Sequence, residues 1–148
     1  MFQNILVPLD FSESSVRALR LAVKVARSSN GSLTLLHVGM VPAAVYGELG
    51  AYGFTPPADL LAAHERMVQE QEHVLRRIAT EEIPTDVSWR VEMREGFAPE
   101  EIAAVLKEGE YDLLVMGTHG RTGLQRVMLG SVAERVLRQA TVPVLVTH

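Results

Sequence analysis

Between residues 117 and 131 the chain sets glycines at 117, 120 and 130, a hydroxyl at Ser131 and potential positive charge at His119, Arg121 and Arg126. Glycine has no Cβ and tolerates positive φ, so Gly117 and Gly120 allow a backbone to approach a ligand closely. Gly130-Ser131 then meets the start of a helix, where unpaired N–H groups and the macrodipole attract a phosphate. The Ser131 hydroxyl can donate to a phosphate oxygen. In a chain of net charge −4, cations gathered in one glycine-rich segment point to a phosphorylated ligand. The same residues admit plainer readings. Ser131 and Glu134 spell a capping box, and Asp10, which ends the first apolar run, can cap a helix or stabilise a turn.

Other chemistries fare worse. Asp10, His119 and Ser131 supply the residue types of a hydrolytic triad, but nothing places the histidine between acid and nucleophile. Ser131 also lacks a nucleophile-elbow sequence. No Walker lysine motif occurs. His37, His64, His73 and His148 lack metal-ligand spacing and read as structural or solvated. There is no cysteine among the 148 residues, which excludes disulfides and thiolate metal sites. An acidic balance gives no sign of a nucleic-acid partner. No apolar run approaches the ~20 residues needed to span a bilayer, and the first ten residues do not read as a signal peptide. The expected setting is cytoplasmic.

These residues must be positioned by elements that alternate between short apolar runs and longer amphipathic ones, the pattern of a βαβ sheet. Ile5 to Leu9 reads as a strand. A helix capped by Ser12 follows, with Val16, Leu19, Val23 and Ala26 on its apolar face, and Asn30-Gly31 stops it. Leu33 to Val38 is a second strand. Thr55-Pro56 reads as cap and first residue of a helix to about Glu82, with Leu60, Leu61, Met67, Val68, Leu75 and Ile78 on one side. Val87 to Met93 alternates, so one face is wet and the strand belongs at an edge. Pro99-Glu100-Glu101 opens a helix that Gly109 closes. Leu113 to Met116 is apolar throughout, hence central. A helix from about Ser131 to Gln139 precedes a last strand, Val142 to Val146, whose Pro143 cannot donate to a ladder and so marks the other edge.

The expectation is a single domain over residues 1–148: α/β, doubly wound, with a five-stranded parallel sheet in order 3-2-1-4-5 and helices on both faces. The chain then changes direction between strands one and four, opening a crevice beyond their carboxyl ends. Asp10 and Gly117 fall there.

The Gly117 to Ser131 spacing, glycine, two residues, glycine, nine residues, glycine-serine, resembles the motif of the universal stress protein family. Asn4 to Asp10, Leu35 to Val38, Tyr111 to Gly117 and Val142 to Val146 resemble its strands, so the likeness covers nearly the whole chain. It implies the ATP-binding branch, which keeps these glycines. In that branch Asp10 would contact ribose, the backbone near Pro8, Leu9 and Val38 would hold adenine, and Met116, Gly117, Gly120, Gly130, Ser131 and Val132 would line ribose and phosphates. Mg²⁺ would ride on the phosphate oxygens, since the sequence offers no clustered carboxylates.

The reading that results is an ATP-binding stress-response regulator with at most slow hydrolysis. A dimeric interaction module with a vestigial site is an alternative, as is an adenylating enzyme, which would need a glycine-serine motif after the first strand where Asp10-Phe11-Ser12-Glu13-Ser14 stands. The apolar edge strand Val142 to Val146 leads to an expected homodimer. The long connection from Gly39 to Thr55 is expected to act as a lid.

Overall fold

The run Asn4–Pro8 forms strand β1 at the centre of the sheet in a computed structural model that describes residues 1–41, 52–53, 55–118 and 129–148. The elements that follow are α1 (Glu13–Ser29), β2 (Ser32–Gly39), α2 (Ala58–Glu82), β3 (Trp89–Glu95), α3 (Ala98–Glu108), β4 (Leu113–Gly117), α4 (Ser131–Gln139) and β5 (Val144–Thr147). All pairings are parallel, in the order β3-β2-β1-β4-β5. The lid expectation for Gly39 to Thr55 rests largely on residues outside those described.

Successive side chains of a strand face opposite sides, so an unbroken apolar run needs cover on both. Ile5, Val7 and Leu9 join α1 and the end of α2 in one cluster, with Leu33, Leu35, Leu113 and Val115. Leu6, Leu36, Leu114 and Met116 join α3 and α4 on the other face. The apolar residues Ile5 to Val7 and Leu113 to Met116 of the central strands are buried, as their composition requires.

Ser12 caps α1: its hydroxyl oxygen accepts from the Ser15 N–H at 3.2 Å. At the far end the left-handed residue is Asn30, with φ 55°, and the Gly31 N–H donates to Ala26 O. α2 departs from expectation. It begins at Ala58 with Pro57 in the cap position, and no side chain caps it. Pro56 cannot be its first residue because a residue before proline is pushed out of the helical region. Its expected apolar side is only partly used. Leu75 is fully buried, whereas Met67 is exposed, because packing against the sheet engages mainly the carboxyl half.

The edge strands lie where expected but start late. β3 begins at Trp89, and its positions are mostly half-buried rather than cleanly alternating. β5 begins at Val144; Pro143 stands just before it, its carbonyl accepting from Leu114 N at 3.0 Å. Gly109 does follow α3, but in extended conformation (φ −103°). Its glycine is demanded instead by the Tyr111 ring, which a Cβ would strike.

Arg20 on α1 grips Glu82 at the end of α2 in a two-pronged ion pair, with both contacts at 2.7 Å. The hydrogen bond from Arg20 holds the Glu82 carboxyl below its ordinary value. A carboxyl so depressed contributes stability above its unfolded pKa and loses it as pH falls through the folded one. The stability gap between wild type and Arg20→Leu, measured by urea denaturation across the acid range, should therefore shrink as pH falls. The effect is expected to be small, since the Arg20 side chain is exposed to solvent, which screens the pair.

Candidate functional site

At the carboxyl ends of the strands, β1 leads into α1 on one face while β4 leads toward α4 on the other. The crevice between them is a cavity of about 370 Å³, within the usual range for small-molecule sites. Its floor is apolar: Pro8 at the end of β1 and Leu9 after it, Leu36 and Val38 of β2, and Met116 of β4. Ala98 and Ile102 of α3 form one wall. Thr118 and the first residues of α4, Gly130 to Ala133, close the polar end.

The turn after β1 is pinned from below. Leu9 N donates to Leu36 O at 2.8 Å, and His37 Nδ1 lies 2.7 Å from Leu9 O. Phe11, at φ 66°, stacks on the buried His37 ring with centroids 4.2 Å apart. A positive φ at a bulky residue is strained, and the stacked ring is what occupies it. Asp10 lies between these anchors. Its Oδ1 accepts from Ser12 N at 3.0 Å and from the Ser12 hydroxyl, an Asx turn. Asp10 therefore stabilises the turn into α1 and lines the cavity at once.

Gly117 lines the cavity too, but its lack of a side chain answers a different need. It does not take a positive φ. A Cβ there would lie 2.9 Å from both the carbonyl carbon and oxygen of Ser14. The glycine admits the first turn of α1 against β4.

The start of α4 is also not as the sequence suggests. Gly130 is the N-cap, with φ −64° and ψ 154°, and no side chain caps the helix. Ser131 is therefore the first helical residue and the capping box with Glu134 does not form; the Glu134 side chain pairs with Arg138 instead. The Glu134 N–H, bonded to Gly130 O at 2.9 Å, is the first of the helix with an intrahelical acceptor. The N–H groups of Ser131, Val132 and Ala133, all cavity-lining residues, begin the helix with no side-chain cap among the described residues. Gly130 N donates to Thr118 O at 2.7 Å, and Thr118 N to Thr147 O at 3.0 Å, which ties this helix start to β4 and β5.

The structure thus brings together Pro8, Leu9, Asp10, Val38, Met116, Gly117, Gly130, Ser131 and Val132 around one cavity. His119, Gly120, Arg121 and Arg126 lie outside the described residues. Among the lining residues that the sequence reading missed are Ala98, Ile102 and Thr118. The first two were accessible in principle, because Pro99 opens a helix right after a parallel strand and so at the same sheet end. Among the described lining residues Asp10 is the one ionisable side chain. A second cavity, about 470 Å³, lies at the amino ends of β1 to β3 near Arg90 and Tyr111, the end of an open α/β sheet that ligands seldom use.

A family model described as the universal stress protein family matches residues 1–148. Universal stress protein MJ0531 of Methanocaldococcus jannaschii is 33% identical over 146 residues, covering 99% of this chain and 82% of that protein. The solved structure of MJ0577, from the same organism, superposes with a TM-score of 0.80 at 26% identity, covering 99% of this chain and 96% of the other. A universal stress protein solved in complex with cAMP shares the fold, with a TM-score of 0.64 at 24% identity and coverage of 99% and 97%.

Proposed function

The chain belongs to the universal stress protein family, and from that premise we propose that it is an ATP-binding regulatory protein of the stress response. Adenine lies on the apolar floor beside Pro8, Leu9 and Val38. Ribose meets Asp10. The phosphates meet the N–H groups of Ser131 and Val132 and the Ser131 hydroxyl, with Gly117 and Met116 beneath. Mg²⁺ is carried on the phosphate oxygens; among the described residues no group of three His, Asp or Glu side chains could hold a metal.

One observation carries this reading: a helix of nine residues starts at the cavity with a glycine cap and, among the described residues, no side-chain cap on its first N–H groups. Such a terminus favours an anion by charge and by hydrogen bonding together. We assign the protein at most slow hydrolysis, because Asp10, the ionisable member of the described lining, already accepts from Ser12. The outer edge of β5 has no neighbouring strand among the described residues, and we take it as the surface through which two copies pair. Among those residues no helix is long and apolar enough to cross a membrane.

The test is to identify small molecules released on denaturing the purified protein, followed by calorimetric titration with ATP, ADP and AMP. Saturable binding of one adenine nucleotide per chain is expected. No measurable affinity for any of the three would leave an interaction module with an empty site, and rapid product formation would replace the regulator by an adenylating enzyme.

A further inference from the structure

The described lining of the cavity has one carboxylate and no cation, yet a nucleoside triphosphate carries several negative charges to be neutralised. The N–H groups at the start of α4 supply partial charge over the first turn only. Arg135 stands one turn further on, four residues after Ser131 and three after Val132. Helical side chains lean toward the amino end of their helix, which directs Arg135 toward the turn of Ser131 and Val132, two residues that line the cavity. Its guanidinium carbon lies 5.2 Å from the centre of the Phe97 ring. Phe97 is the N-cap residue of α3, half-exposed, and its neighbour Ala98 forms the cavity wall. The guanidinium therefore bridges α4 and α3 next to the lining residue Ala98, with neither Arg135 nor Phe97 itself in the lining. Among the described residues no carboxylate pairs with it, whereas neighbouring Arg138 is taken by Glu134.

Resting on the nucleotide reading above, we propose that Arg135 is the residue by which this site distinguishes a polyphosphate tail from a monophosphate. The Phe97 ring holds the guanidinium at the rim by a cation–π contact and leaves its N–H donors for the outer phosphates. Arginine suits the task because its planar fork matches phosphate oxygens and never loses its charge. The adenosine moiety, lying on the apolar floor, does not meet it.

The experiment is calorimetric titration of ATP, AMP and adenosine into wild type, Arg135→Gln, Arg135→Lys and Phe97→Leu, with thermal melts to confirm folding. Arg135→Gln is expected to weaken ATP about tenfold and AMP less than about threefold, with adenosine unchanged. Arg135→Lys should keep most of the ATP affinity, and Phe97→Leu should lose about threefold by releasing the guanidinium. Equal losses for all three ligands would show a clasp between helices and overturn the proposal. So would unchanged ATP affinity in Arg135→Gln. A wild type that binds no adenine nucleotide overturns the nucleotide reading itself, a result distinct from either.

Discussion

Replacing Gly117 by alanine is expected to lower the free energy of unfolding by about 2–3 kcal/mol, and to weaken nucleotide binding with it. The new Cβ would sit 2.9 Å from the backbone carbonyl carbon and oxygen of Ser14, and a backbone cannot swing aside as a side-chain tip can. Ser14 is buried in the first turn of α1, directly after the Ser12 cap that Asp10 holds. Relief requires α1 to shift off β4, and the shift carries the Asp10 turn with it. Gly39→Ala makes the control, since its Cβ would meet first only the Gln71 side-chain oxygen at 3.2 Å. Urea denaturation of the two variants, with ATP titration of each, decides the matter. Equal stabilities would mean that the approach of α1 to β4 is not tight. A Gly117→Ala variant that is destabilised yet binds ATP as wild type does would uncouple the Asp10 turn from the site.

The two glycines that flank the motif were legible as glycines that matter, yet for reasons the sequence does not contain. The sequence suggests that Gly117 makes room for a ligand; the structure shows that it also makes room for α1, some hundred positions earlier in the chain. That proximity follows from β1 and β4 being neighbours, so it becomes visible only once the sheet is assembled. Strand order, by contrast, could be reached beforehand because burial on one or both faces leaves a direct mark on composition. Ile5 to Val7 and Leu113 to Met116 are apolar without break, and they lie at the centre. Local chemistry misled where two local rules compete. Thr55-Pro56 has the form of a helix start, but the next residue is a second proline, and its restriction on Pro56 prevails. Ser131 and Glu134 have the form of a capping box, but the chain enters α4 one residue earlier than the box needs. The α3 wall and the Phe97–Arg135 bridge depend on how α3 and α4 pack on one face, information spread over both helices and no single motif.

The displaced cap yields the sharpest test of how the site works. Gly130→Asp is expected to make the fold more stable by about 0.5–1 kcal/mol while cutting ATP affinity at least about a hundredfold. At φ −64° and ψ 154° the position suits any L-residue, and aspartate is among the preferred N-caps. Its carboxylate would accept from the N–H groups of Val132 or Ala133 and complement the positive end of α4, which now has no side-chain cap. The Val132 N–H is one of the groups assigned to the phosphates and the Ala133 N–H lies beside it, so the change that improves the helix fills the anion site with a permanent anion. The Gly130 N–H can keep its 2.7 Å bond to Thr118 O, which leaves the tie between α4 and β4 in place. Gly130→Asn separates the two effects: it caps without charge and should lose less affinity. Adenosine, lacking phosphate, should bind Gly130→Asp much as it binds wild type. Thermal melts and calorimetric titrations of the three proteins read both quantities on the same samples. If Gly130→Asp melts higher and still takes ATP with undiminished affinity, the phosphates do not lie at the start of α4, and a stable helix cap is all that this terminus lacks.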